Sequence, residues 1–364
     1  MLPIPMVDLQ TQYRAHQQEI DASIALCLSE GNFIGGKKIT EFENKLAAYL
    51  GIDNCISCAN GTDALQIALM ALDLPKGSKI IVPAFTYIAT AEVVKLLGFE
   101  LVLCDVDVNM FNVNIEHIKR VYSEDVKAII VVHLFGQVCD INEITAFCKD
   151  NNIFLIEDNA QALGAEKNIQ RNSIITTSFY PTKNLGAYGD GGALFCNDVM
   201  LANKIRKIAN HGQTQKYVHE IVGINSRLDV IQAAILQVKL AHLDAYNARR
   251  KAIAEIYHQK LKEIQQIELP IEKNTHIFHQ YTIKVKNNLR DELKKFLAEK
   301  NIQTAIHYPI PIYKQQAFLD ENLCLPNTEF LCSSVLSIPI FPELTDEQIM
   351  YICACVISFF SAYE

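Results

Sequence analysis

Apolar positions along the chain follow two periods, and the switching between them outlines the fold. Lys79–Pro83, Glu100–Cys104 and Val126–His133 are short, nearly continuous apolar runs of the kind carried by buried strands, whereas residues at about 87–97, 114–122 and 140–150 repeat at helical spacing. Alternation of this sort predicts an α/β architecture, a mainly parallel sheet sandwiched by helices. Asn151–Asp158 extends the series with an apolar run that ends on two carboxylates, Glu157 and Asp158. Upstream, one helix is predicted at about 15–30 with Gly31 at its end. Another covers Lys38–Leu50, where Ile39, Phe42, Leu46 and Tyr49 share a face and Gly51 is the stop signal.

The second half is less regular. Asp198–Ala209 reads as a helix whose basic residues near the end, Lys204, Arg206 and Lys207, suit the dipole. His211–Glu220 is polar and without period, which predicts a mobile loop, and Gly223–Asp229 opens a long helix running through Leu240. A helix at about 244–264 leads into a smaller α+β unit. There the pattern predicts a half-exposed strand over Phe278–Val285, a helix over Leu289–Lys300 and a closing helix that starts at the capping-box residues Thr345–Gln348. No Ser/Gly-rich linker or internal repeat interrupts the chain. The expected organisation is a large domain, 1–243, closely packed on a small C-terminal domain, 244–364, with the N-terminal segment reaching the small one.

Composition narrows the functional classes. The 364 residues are half hydrophobic and 20% charged, with no charge block, which supports a large core and little disorder. A net charge of −8 argues against broad contact with nucleic acid or an anionic membrane. No apolar run reaches the roughly 18 residues that span a bilayer. Eleven scattered cysteines and no signal peptide indicate reduced thiols in a cytoplasmic protein. Cys55 and Cys58 have half-site spacing, but they fall in a strand with no second pair, so packing rather than metal binding is expected.

The candidate chemistry centres on Lys183, which follows Pro181 and precedes Gly186, Gly189, Gly191 and Gly192. A lysine among small and aromatic residues suits a partly dry pocket, where a lowered pKa makes the amine a nucleophile for an aldehyde and a proton shuttle. Asp158, at a strand end, is placed to hold a positive charge. Gly61 and Thr62 open a helix after a strand and form a candidate anion site, although capping alone explains many such junctions. Tyr87, with Phe85 as its competitor, stands after another strand. His133 is expected to be a packed or hydrogen-bonded histidine without a catalytic role. His307 and Tyr308 precede Pro309 in an extended segment, and Arg227 offers a planar guanidinium for a carboxylate or phosphate.

Asn60–Leu65, Glu157–Gln161, Ser178–Gly186 and Gly223–Asp229, in this order, resemble the motifs of the DegT/DnrJ/EryC1/StrS family of nucleotide-sugar aminotransferases from about Val7 to the last helix. The resemblance implies the fold-type-I architecture of pyridoxal-phosphate transferases and pyridoxal 5'-phosphate as cofactor, with Lys183 and Asp158 as catalytic groups. It implies cofactor contacts from Gly61, Thr62, Tyr87, Asp158, Gln161, Ser178, Lys183 and a neighbouring subunit's Asn225. Substrate contacts would come from Arg227, His307 and Tyr308, in a homodimer with shared sites and no metal. Asp63 and the 306–311 segment resemble enzymes that aminate UDP-2-acetamido-2-deoxy-3-oxo-glucuronate, with glutamate as donor, for surface polysaccharide. A dTDP-3-oxo-6-deoxyhexose or a 4-oxo sugar is the alternative substrate. A non-catalytic regulatory protein, a dehydratase and a cysteine desulfurase are competing readings; Lys183 argues against the dehydratase, and Cys324 or Cys332 would have to serve the desulfurase.

Overall fold

Seven strands form the central sheet: β1 (Asn54–Cys58), β2 (Lys79–Pro83), β3 (Glu100–Cys104), β4 (Val126–Val132), β5 (Phe154–Asp158), β6 (Ile174–Ser178) and β7 (Gly192–Cys196). They lie in the order β1-β7-β6-β5-β4-β2-β3. All neighbours from β3 to β6 are parallel, and β7 runs against both β6 and β1. The computed structural model describes residues 3–363 apart from 272 and 274.

Side chains alternate across the sheet, and each face has its own helices. In β4, Ala128 and Ile130 face a core shared with the helices Gly61–Ala71, Ala89–Leu96 and Val199–Ala209. Ile129 and Val131 face the opposite core, shared with Ile115–Val121 and Ile141–Asp150. The helices Lys37–Leu50 and Val230–Leu240 continue that second face over β1, β6 and β7. The predicted α/β sandwich is therefore present, its parallel strands buried on both sides as such sheets require.

A three-stranded antiparallel sheet, Ile267–Glu268, Tyr281–Val285 and Val335–Ile338, packs with the helices Leu243–Leu261, Arg290–Glu299 and Asp346–Phe360 around another core. Ile4 joins that core, and its amide donates to the Asn301 carbonyl at 2.8 Å. Ile312, Tyr313 and Leu325 pack instead into the main-sheet core that also takes in the helix Gly61–Ala71. The C-terminal part is thus held to the sheet by apolar contact as well as by chain connection.

Several local expectations need correction. The 211–220 segment contains a short hairpin, Gln213–Gln215 against Val218–His219, with Tyr217 at φ 68 in its turn. Strands this short carry no detectable alternation. Residues 223–229 are not helical: the amides of Ile224 and Ser226 donate to the Ile208 and Ala209 carbonyls, and the helix begins only at Val230. Tyr281–Val285 is buried throughout rather than half exposed, because Lys284 is covered and paired with Glu268 at 2.6 Å. The predicted 15–30 helix is preceded by another, Leu9–Ala15. All eleven cysteines are free. Cys55 and Cys58 pack into different cores on opposite faces of the sheet, which rules out a shared metal half-site. Among the described residues no helix is long and apolar enough to cross a membrane.

Candidate active site

A cavity of about 540 Å³ opens at the carboxyl ends of β2, β4, β5 and β6 and is roofed by residues 279–280 and 307–308. In open α/β sheets, strand ends create such a crevice because the chain leaves adjacent strands for helices on different faces. Nine candidates meet there: Gly61, Thr62, Tyr87, Asp158, Gln161, Ser178, Lys183, His307 and Tyr308. They come from five separate stretches of chain.

Lys183 is half-buried on the loop between β6 and β7. Loss of water lowers its pKa to about 8, and the nearby Asp158 charge opposes that shift only in part. Asp158 ends β5 and is 7% exposed. Burial raises its pKa against the Ala160 amide, the Lys183 charge and the Thr90 hydroxyl. Its carboxylate accepts hydrogen bonds of 3.1 Å from both the Thr90 hydroxyl and the Ala160 amide. Both donors are neutral, so the carboxylate is held in place with its charge unspent.

One end of the cavity is built from backbone. Asn60 caps the helix Gly61–Ala71 by accepting from the Asp63 amide at 2.8 Å, and its carbonyl takes the Ala64 amide. The Gly61 and Thr62 amides are the remaining first-turn donors, and neither has a partner among the described residues. Ser178 lies directly opposite: a Cβ on Gly61 would stand 2.7 Å from the Ser178 Cβ, so only glycine permits this approach. Tyr87 lines the cavity and is 57% exposed, whereas Phe85 is buried against Phe111, Phe135 and Tyr308. The geometry thus favours Tyr87 over Phe85 as the aromatic available to a ring.

Gln161 accepts from the Phe135 amide at 2.8 Å and donates to the Tyr308 hydroxyl at 3.2 Å. His307 contacts the Gln280 amide group at 3.1 Å and the Ser337 hydroxyl at 3.0 Å. Burial, aided by the Lys183 charge, lowers its pKa to about 4, so it is neutral at physiological pH.

A model of the DegT/DnrJ/EryC1/StrS aminotransferase family matches residues 14–357. The chain belongs to this family. It is 42% identical to the UDP-2-acetamido-2-deoxy-3-oxo-D-glucuronate aminotransferase of Pseudomonas aeruginosa, over 97% of this chain and 99% of that one. It is 41% identical to the UDP-N-acetyl-3-dehydro-alpha-D-glucosamine 3-aminotransferase of Acidithiobacillus ferrooxidans, over 97% of both chains. At 40% identity over 98% of both, it also resembles a pleiotropic regulatory protein of Geobacillus stearothermophilus. Among solved structures, DesV of S. venezuelae superposes with a TM-score of 0.95 at 34% identity and 99% coverage of each chain. Bacillus subtilis ntda, with bound cofactor PMP, gives 0.95 at 28% identity, over 99% of this chain and 86% of that one.

Aminotransferases of the DegT/DnrJ/EryC1/StrS family depend on pyridoxal 5'-phosphate. The residues present fit that group. Two unpaired amides at a helix N-terminus suit a phosphate, a buried carboxylate with only neutral donors suits a protonated ring nitrogen, and the amine stands in the same cavity. Asn225 and Arg227, both expected to act from a neighbouring subunit, are exposed and lie outside this chain's own cavity lining. Arg227 lines a second pocket of about 260 Å³ with Glu43, Ser57, Arg206 and Ser226. Asp63 also does not line the cavity. The sequence reading missed Thr90, which anchors Asp158 from 68 positions away and carries no local signal.

Proposed function

We propose that this aminotransferase acts on a nucleotide-linked 3-oxo sugar, first of all UDP-2-acetamido-2-deoxy-3-oxo-glucuronate, and takes its amino group from glutamate. The observation that carries the reading is the joint placement of Lys183 and Asp158 in one cavity with free helix-terminal amides at its end. When bound, the cofactor supplies an electron sink for the carbon that loses its proton. Gly61, Thr62 and Ser178 would hold its phosphate, Asp158 its ring nitrogen and Tyr87 its ring face. Lys183 removes the proton from the donor's α-carbon. Its lowered pKa leaves part of the population as free amine near neutrality. In the second half-reaction the same side chain delivers a proton to carbon 3 of the sugar. One group serves both directions because it stays beside the reacting carbon.

The two relatives named for 3-oxo nucleotide sugars support the substrate class, and the first supports the uronate. Arg227 would receive the sugar's carboxylate and Asn225 the cofactor phosphate, each across a homodimer interface, in a cytoplasmic enzyme that contributes to surface polysaccharide. A dTDP-3-oxo-6-deoxyhexose is the second choice of substrate. A regulatory role without catalysis has the likeness to the pleiotropic regulatory protein behind it, but the presence of both Lys183 and Asp158 in the cavity lining favours catalysis.

The test is visible absorption of the protein loaded with pyridoxal phosphate, recorded before and after glutamate and then after each member of a panel of 3-oxo and 4-oxo nucleotide sugars. Glutamate should abolish the long-wavelength band, and a 3-oxo uronate should restore it fastest. Faster restoration by a 4-oxo sugar than by any 3-oxo sugar would overturn the substrate assignment. A folded protein that takes up no cofactor would overturn the site.

A further inference from the structure

The loop that carries Lys183 is pinned at three points, Asn184, Gly186 and Tyr188. Asn184, beside the lysine, donates to Asn247 Oδ1 at 2.7 Å and contacts His279 Nδ1 at 2.8 Å. The Tyr188 amide donates to Gln232 Oε1 at 2.8 Å. Between these two anchors, the Gly186 carbonyl accepts from Lys239 Nζ at 2.5 Å. Gln232 and Lys239 are seven positions apart on the helix Val230–Leu240, two turns along one face, so a single rigid element grips the loop twice.

Lys239 is the unusual anchor. A lysine in the last turn of a helix ordinarily extends its ammonium into water, but this one is 1% exposed and turned inward. Its ammonium lies 5.0 Å from the centre of the Tyr188 ring, and among the described residues it makes no ion pair. Desolvation lowers its pKa to about 8, and the Glu343 charge opposes that only in part. Methionine would fill the same space without such a cost. What methionine lacks is a donor for Gly186, whose position is already tight: a Cβ there would stand 2.2 Å from the Pro181 carbonyl oxygen. The Lys183 amide donates to the Tyr180 carbonyl and the Ala187 amide to the Phe179 carbonyl, both at 2.8 Å, so the turn is closed on its inner side. The outward Gly186 carbonyl therefore serves as its external tether.

We propose that Lys239 is a positioning residue for Lys183, fixing the catalytic amine by holding the Gly186 carbonyl of the same turn. The inference rests on the assignment of Lys183 as the reacting amine and extends it to a residue outside the cavity lining.

The experiment compares wild type with Lys239→Met and Lys239→Gln, the latter keeping an uncharged donor. In the cofactor-free proteins, acylation of Lys183 is followed against pH by peptide mass spectrometry, which reports the amine's surroundings without catalysis. In the loaded proteins, single-turnover decay of the visible band with glutamate separates binding from the proton-transfer step. Lys239→Met should move the acylation profile of Lys183 and slow the single-turnover step about tenfold, with glutamate affinity within about twofold, as expected for a small displacement of a reacting group. Lys239→Gln should recover part of both. An unchanged acylation profile and single-turnover rate in a folded Lys239→Met protein would overturn the proposal, leaving Lys239 a purely structural residue. If Lys239→Met does not fold, Lys239→Gln carries the test alone: a slower single turnover with a shifted acylation profile would support the tether, and wild-type values for both would overturn it. Should Lys183 itself not be the reacting amine, a Lys183→Met protein would keep the visible band, which distinguishes that failure from this one.

Discussion

An amine confined beside a carboxylate is pulled two ways, and for Lys183 the loss of water wins. Its pKa falls from the usual 10.5 to about 8 despite the Asp158 charge. Between those values the unfolded chain binds a proton at this position that the folded chain has released. Folding stability therefore rises with pH across the window, and the penalty is fully present below it. Lys183→Met keeps the length of the side chain and removes the charge. The cofactor-free variant should be more stable than wild type near neutral pH by up to about 3 kcal/mol. That advantage should shrink as the pH approaches 10.5. Urea unfolding of both proteins at about pH 7 and about pH 9.5 reads the difference. A gap that does not narrow would remove desolvation as its cause. If Lys183 is the reacting amine, the same substitution should also abolish turnover, which would set stability against function at this residue.

At the level of elements, β5 shows how one strand end serves two tasks. Neighbouring residues of a strand point to opposite faces, so Asp158 enters the cavity while Glu157 turns to the other side. There Glu157 accepts from Arg171 at 2.7 and 2.8 Å, from the Ser173 hydroxyl at 2.5 Å and from His133 at 3.0 Å. The Cys139 amide donates to His133 Nδ1, so the His133 proton sits on Nε2 and faces Glu157. Burial alone would raise the Glu157 pKa, but its hydrogen bonds outweigh burial and hold it at about 2 against the usual 4.5. A depressed carboxyl pKa contributes stability above the unfolded value, and that contribution is lost as pH falls through the folded one. Glu157→Gln should accordingly cost about 3 kcal/mol near neutral pH, with the deficit closing as the pH falls from 4.5 to about 2. A deficit that stays constant from neutral to acid pH would assign the cost to packing instead.

What the sequence made legible was whatever is encoded locally. The left-handed caps Gly31 and Gly51 and the Thr345 capping box stop or start helices through groups within a few residues, and all three stand where they were expected. The 213–219 hairpin is too short to show a period, and buried Lys284 looked polar because the Glu268 that covers it comes from another strand. In the site, alternation alone does not say which of Glu157 and Asp158 faces the cavity; Asp158 stands out by its place at the strand end together with Lys183, and the resemblance then gives it the catalytic role. Thr90 and Lys239 were illegible because each acts on a partner that only the fold brings near.

The molecule as a whole poses a question that one chain leaves open. Asn225 and Arg227 belong to the motifs that place the chain in its family, yet both are exposed and outside the cavity. Large apolar side chains are exposed in the flanking segments: Tyr217 at 82%, Val222 at 87%, Phe33 at 45% and Ile34 at 47%. The bridge from Ile34 to Asp229 brings these segments together. An apolar surface bordering two unplaced polar residues fits a subunit interface across which Asn225 and Arg227 enter the partner's cavity. The proposed division at 243/244 would then leave both residues on the large domain, facing the twofold contact. Mixing inactive Lys183→Ala chains with inactive Asn225→Ala chains tests this arrangement. If the site is shared, each mixed dimer contains one cavity in which an intact Lys183 from one chain meets an intact Asn225 from the other, and activity returns. If each chain supplies both residues to its own cavity, every cavity in the mixed dimer lacks one of them. Mixed dimers verified by mass spectrometry that remain inactive would therefore place Asn225 outside the neighbouring site, and the Arg227 assignment would lose its geometric support as well.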